Sequence, residues 1–220
     1  MALPPVHLWF NWRLEGLERI PPEGPLIVAG NHLSYFDPLA HGHFVDRANR
    51  RPRFLAKREL FDNWFLRTVL LGAGQIPVAR GTGDRAPLLE AAQALEAGEV
   101  VVVYPEGTSI TADADFSPGP GKNGAVRLSL MTGIPILPVA TWGGQYVWRR
   151  GERIHPTFGR PIWLKAGEPY DVLARGDALE ERDAVENRDA VRELTDGLMR
   201  ALTALVSDMR ARYPKRWARG

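Results

Sequence analysis

The stretch Pro25 to Ala40, PLIVAGNHLSYFDPLA, decides how the rest of the chain is read. Leu26-Ile27-Val28-Ala29 is a short apolar run bounded by Pro25 and Gly30. A continuous run of that kind reads as a strand buried on both faces, as in a parallel sheet. Asn31, His32 and Ser34 follow at once, and Asp37-Pro38 then opens a helix. Asp is a favoured N-cap and Pro suits the first helical position, so the helix is expected to begin at Asp37. The segment is therefore strand, turn, helix, with His32 at the carboxyl end of the strand. In open α/β sheets, ligands and chemistry collect at such strand ends.

The spacing of His32 and Asp37 fits that placement. Five residues along one straight helix leave two side chains ~140° apart, so they would face away from each other. A turn between them can bring the carboxylate back onto an imidazole nitrogen. An Asp that accepts from one ring nitrogen fixes the tautomer and makes the other nitrogen more basic. The pair is then a general base able to take a proton from an alcohol.

Outward from this stretch, strands and helices alternate. Asp37 to Arg47 reads as a helix carrying His41 and His43, and Arg53 to Ala56 as a short strand. Phe61 to Leu71 reads as a helix with apolar residues at Phe61, Trp64, Phe65, Val69 and Leu70. Gly74 to Arg80, GQIPVAR, is a strand, and Asp84 caps a helix whose core face is Leu88, Leu89, Ala92 and Leu95. Gly98 ends that helix. Val100 to Tyr104 is a second buried strand, with Pro105-Glu106-Gly107-Thr108 at its carboxyl end. A helix follows Lys122 and ends at Gly133, and Ile136 to Ala140 is a further strand. Ile154 to Leu164 reads as one or two more, turned at Gly159. Residues 184 to 213 form a long amphipathic helix with Val191, Leu194, Leu198, Leu202, Leu205 and Met209 on one stripe. The alternation argues α/β in a single layered domain over residues 1 to 220.

Composition narrows the function classes. The chain has 220 residues, 45% hydrophobic and 25% charged, an ordinary globular balance. It holds no cysteine, which excludes disulfides, thiolate metal sites and Cys nucleophiles. No run of eighteen or more apolar residues exists, so no transmembrane helix is expected. The first residues, MALPPVHLWFNW, lack a charged region followed by an apolar one, so a signal peptide is not expected. Net charge is only +2, yet Arg47, Arg50, Arg51, Arg53, Lys57 and Arg58 cluster, as do Arg210, Arg212, Lys215, Arg216 and Arg219. Such clusters attract phosphate, or are simply solvated surface. Aromatic residues beside arginines in His7 to Ile20 suit an amphipathic interfacial segment over residues 1 to 20. The alternative is that those rings pack on the domain.

Several motifs occur in a fixed order. NHLSYFDP resembles the N-H-x-S-x-x-D signature of glycerolipid acyltransferases, and GQIPVAR their G-x-I-x-x-x-R block. YPEGTS resembles the F-P-E-G-T-R block, with Ser109 in place of the arginine, and Ile134 to Val139 resembles the final P-[IV]-x-P-V block. The chain thus resembles this family, and especially its 1-acyl-glycerol-3-phosphate acyltransferases, over roughly Gly16 to Pro161.

The resemblance implies a mixed, mostly parallel sheet flanked by helices. It implies His32 and Asp37 as the catalytic pair. Asn31, Ser34, Gly74, Arg80, Glu106, Gly107, Thr108 and Lys122 are implied on the substrate. It implies no cofactor and no metal. The donor would be an acyl-CoA or acyl carrier protein thioester, and the acceptor a lysophospholipid at the cytoplasmic face of a membrane, with peripheral attachment and no nucleic acid. If the missing arginine at Ser109 normally holds phosphate, Lys122 or an arginine between Arg47 and Arg58 would have to replace it. Two other readings stay open. His32, Asp37, His41 and His43 contain donors enough for a metal hydrolase, and the fold could be kept as a silent lipid-binding protein.

Overall fold

The computed structural model describes residues 8–79, 85–107, 116–175 and 187–218. Seven strands form one sheet: β1 (Asn11–Glu15), β2 (Leu26–Gly30), β3 (Pro52–Lys57), β4 (Ile76–Val78), β5 (Val100–Val103), β6 (Ile136–Trp142) and β7 (Pro161–Ala166). Their order across the sheet is β1-β7-β6-β2-β5-β3-β4. β2 to β6 run parallel to one another. β7 is antiparallel to β6, and β1 is parallel to β7. The expected mixed, mostly parallel sheet is therefore the one formed.

β2 lies at its centre and is buried along its whole length. Successive side chains of a strand point to opposite faces. Leu26 and Val28 accordingly pack with Phe44 and Val45 of α1 (Asp37–Asp46) on one side. Ile27 and Ala29 pack on the other side, against α3 (Ala86–Glu96), α4 (Gly124–Thr132) and α6 (Arg188–Arg212). That is why the run has no polar alternation.

Several expectations shift in detail. Only Pro161–Ala166 of the region Ile154 to Leu164 is strand. A strand persists only where a neighbour accepts its ladder, and β1 and β6 offer one only to that stretch. Upstream, Gly159 (φ +73°) turns the chain, and Ile154 and Phe158 are exposed. In α3 the buried residues are Pro87, Ala91, Ala94 and Leu95, while Leu89 is 53% exposed. The helix is thus rotated from the expected face, and Asp84 lies outside the described residues. α6 begins after Asn187, whose side chain accepts from the Ala190 amide, and it buries Val206 where Leu205 was expected.

Residues read as an interfacial segment contribute β1. Phe10 and Ile20 are buried, and Trp12 stacks on Phe36 and leans on His43. Leu8 and Trp9 stay at the surface. α2 (Trp64–Gly72) is capped by Asn63, which accepts from Phe65 N and Leu66 N, but none of its residues is buried. α5 (Val172–Arg175) is a single turn.

Candidate active site

The turn after β2 is built by one carboxylate. Asp37 is fully buried, and its Oδ2 accepts from the backbone amides of Leu33 (2.5 Å) and Ser34 (2.6 Å). Its Oδ1 accepts from the Ser34 hydroxyl at 2.7 Å. The His32 Nδ1 lies 3.4 Å from the same Oδ2. Asp37 is therefore not the cap expected of it. Phe36 holds the N-cap position without a side-chain bond, and Asp37 is the first helical residue. Its short bonds shape the turn, and its long one orients the imidazole. Gly144 closes the arrangement from behind, since a Cβ there would lie 2.8 Å from both Asp37 Oδ1 and Ser34 Oγ.

A second layer holds the ring of His32. Tyr104, just past β5, stacks on it with centroids 4.4 Å apart and planes at 20°. The Tyr104 hydroxyl meets Nδ1 of His41 at 3.2 Å, and His41 Nε2 meets the carbonyl of Val139 at 3.0 Å. Burial pushes the His41 pKa below its ordinary value and the Tyr104 phenol well above its own. A neutral ring meets most of its partners when Nε2–H donates to Val139 and Nδ1 accepts from Tyr104. The Asp37 carbonyl also lies 3.0 Å from Nδ1. Gly30 makes room for this pair, as a Cβ there would fall 2.7 Å from His41 Nε2 and 3.0 Å from Tyr104.

Glu106 comes to the same place from the end of β5. Its Oε1 accepts from the His32 amide at 2.9 Å, while Oε2 is buried with no close hydrogen-bond partner among the described residues. Burial raises its pKa to about 7, against the pull of the His32 and Gly119 amides. Gly107 adopts φ +71°, and its Cα faces the Lys122 side chain so closely that a Cβ would sit 2.9 Å from Nζ. The Lys122 amide donates to Pro105 O at 2.7 Å, which fastens that lysine to the turn.

The expected residues do not all converge. His32, Ser34, Asp37, Glu106, Gly107 and Lys122 share the carboxyl rim of the parallel strands. Asn31 is there too, but its amide is spent on both backbone groups of Thr141, clipping β2 to β6 (3.1 and 2.7 Å). Gly74 precedes β4, at the opposite edge, where its carbonyl accepts from Arg53 Nε at 2.5 Å. It turns the chain (φ +70°) before the amino end of β4, at the end of the parallel strands opposite the rim that carries His32.

Arg50 likewise binds the carbonyls of Pro21, Gly24 and Gly98, so neither it nor Arg53 is free to replace the arginine missing at Ser109. Arg80, Thr108 and Ser109 lie outside the described residues. The four-residue metal reading also fails on geometry. His41 spends both ring nitrogens inside the fold, and the His43 ring packs on Trp12. Among the described residues, no three His, Asp or Glu side chains converge as a metal site.

A family model described as Acyltransferase matches residues 11–142. The chain belongs to the acyltransferase family. It is 27% identical over 148 residues to the 1-acyl-sn-glycerol-3-phosphate acyltransferase of Bacillus subtilis, a match covering 66% of this chain and 70% of that protein. It is 31% identical over 129 residues to the enzyme of that name in Borreliella burgdorferi, covering 58% of this chain but only 49% of that one. The chain thus spans about half the length of that second relative. The crystal structure of the 1-acyl-sn-glycerophosphate (LPA) acyltransferase PlsC from Thermotoga maritima matches with a TM-score of 0.70 at 27% identity, over 96% of this chain and 76% of that one.

The acyltransferase match takes in β1 to β6, and so every described residue of the rim just named. Tyr104 and Gly144 were not singled out from sequence, and His41 was named only as a candidate metal donor. Tyr104 stood visibly at a strand end and Gly143-Gly144 followed another, but neither pattern says what lies against it.

Proposed function

We propose that this acyltransferase moves a fatty acyl group from an acyl-CoA or acyl carrier protein thioester to the hydroxyl of a lysophospholipid. The acceptor we assign is 1-acyl-glycerol-3-phosphate, which would give phosphatidate, at the cytoplasmic surface of a membrane. One observation carries the reading. An imidazole 12% exposed is oriented by a fully buried carboxylate at the sheet's carboxyl rim, with a lysine fastened to the neighbouring turn.

The chemistry follows from those groups. His32 takes the proton of the acceptor hydroxyl as its oxygen attacks the thioester carbonyl. The imidazolium that forms is stabilised by Asp37. As the tetrahedral adduct collapses, the carbon–sulfur bond breaks, and the thiolate receives the proton back from His32. A thiol of pKa ~8.5 leaves far more readily than an alcohol, so no further activation is needed. Lys122 supplies a cation for the acceptor phosphate, and Arg80 and Thr108 are assigned to the same task.

The test is thiol release from acyl-CoA with lysophosphatidate, with the lipid product identified alongside. Wild type should release thiol only when acceptor is present. His32→Ala should lose ~10²–10⁴-fold in turnover while keeping its fold. Thiol release that ignores the acceptor, or a folded His32→Ala protein with normal turnover, would overturn the assignment.

A further inference from the structure

α2 is the least explained element of the fold. Five of its nine residues are large and apolar and face solvent: Trp64 (77% exposed), Phe65 (59%), Leu66 (42%), Val69 (47%) and Leu71 (50%). Leu60, in the turn before it, is 44% exposed. At ~100° per residue, half-buried Leu70 lies on a different side of the helix from Trp64, Phe65 and Val69, ~100–140° away, and those three face solvent. The two rings touch each other edge to face, at 5.9 Å. A helix that is apolar all round is ordinarily buried, and contiguous exposed patches of this kind mark interaction surfaces.

Position and charge say what covers it. β3 runs parallel to β2, so the chain leaving β3 emerges on the rim that carries His32. The amino end of α2, with Trp64 and Phe65, is therefore the end nearer that rim. Exposed Arg58 and Arg67 flank the patch against Asp62, beside a Lys57–Glu59 pair at 3.1 Å. A nine-residue helix is ~14 Å long and ~10 Å wide, a footprint of a few hundred Å² at most. A stable protein interface needs ~800 Å² from each partner. The patch is too small for that, but suited to sinking ~5–10 Å into the head-group boundary with basic residues at its margin.

We infer that α2 is the membrane-docking element, and that Trp64 and Phe65 enter the lipid surface beside the catalytic rim. This rests on the function proposed above, because it makes the bilayer the source of the acceptor. The acceptor's hydroxyl would then reach His32 without the lipid leaving the interface.

The experiment compares wild type with Trp64→Ser/Phe65→Ser in the full chain. Sedimentation with vesicles of phosphatidylcholine and phosphatidylglycerol is measured without substrate, and thermal unfolding is run alongside. Wild type should pellet with the vesicles. The variant should partition at least ~tenfold less, with its unfolding unchanged because both side chains are exposed. Its thiol release should fall with vesicle-borne lysophosphatidate and stay normal with a short-chain, water-soluble acceptor.

Equal sedimentation of the two proteins, or no binding by wild type, would overturn the docking assignment and leave the acyl-transfer reading standing. A wild-type dimer dissociated by the substitutions would also overturn it, since a second copy would then be the occupant. Lost sedimentation in the variant, with no transfer by wild type to either acceptor, would uphold docking and sink the chemistry.

Discussion

At the scale of single residues, His32, the base proposed above, is held from two directions. Asp37 reaches its Nδ1 at 3.4 Å, a long contact for an orienting bond, and Tyr104 covers its face at 4.4 Å. The stack removes one rotation that a weak hydrogen bond leaves open. Tyr104 is thus a positioning residue, held in turn by His41. Replacing it with Phe keeps the ring but leaves His41 Nδ1 without its hydroxyl donor. That change should cost ~1–3 kcal/mol of stability with a small loss of kcat. Tyr104→Leu removes the stack itself, so kcat should fall further while the acceptor KM stays near wild type. A purely structural role would instead give equal kinetics in the two folded variants. The sequence placed His32 and Asp37 in the right turn, because caps and strand ends are local features. It missed that Asp37 shapes the turn from inside the helix, since that depends on which amides the fold points at it.

Two helices show how an element's pattern and its environment part company. α6 carries a stripe that the sequence marks as inward, and Leu198 on it is fully buried. Truncating it to Ala should cost ~2–5 kcal/mol in denaturant unfolding, with activity per folded molecule preserved. α2 looks as apolar, yet Val69 is 47% exposed. Val69→Ser should therefore change stability by less than ~0.5 kcal/mol. A large loss there would mean that α2 packs on the domain and has no outward face. Periodicity alone does not separate these helices, because it reports which side is apolar and not what that side meets.

For the molecule as a whole, two buried groups set opposite slopes of stability against pH. Glu106 has its pKa raised from 4.5 to about 7, so the folded state binds more protons than the unfolded one between those values. Its contribution is present at low pH and is lost as pH rises through that window, on the order of 3 kcal/mol by linkage. His41 has its pKa lowered from 6.5, so its contribution is present at higher pH and is lost on acidification. The two oppose each other in mildly acid solution. Glu106→Gln should remove the falling term. The variant should gain stability relative to wild type as pH is raised from 4.5 to above 7, measured by denaturant unfolding at each pH. A constant difference across that range would mean that Glu106 titrates normally.

The sequence by itself determined the α/β alternation, the buried central strands, the turn that carries His32 and Asp37, and the family. All of these rest on short-range patterns: apolar runs between breakers, caps, and motifs in fixed order. Only the tertiary structure decided which of the motif residues share a site. Gly74 and Arg53 lie away from the rim because they sit at the amino ends of β4 and β3, which run parallel to β2, and Asn31 was taken up by Thr141. Tyr104 and His41 joined His32 because β2 lies between β5 and β6. α2 stayed uncovered for a similar reason, since what packs on a helix depends on where its neighbours in the chain have gone. Contacts of that kind link residues 60 to 110 positions apart, as in His41 to Tyr104 (63) and Asn31 to Thr141 (110), and no local pattern encodes them.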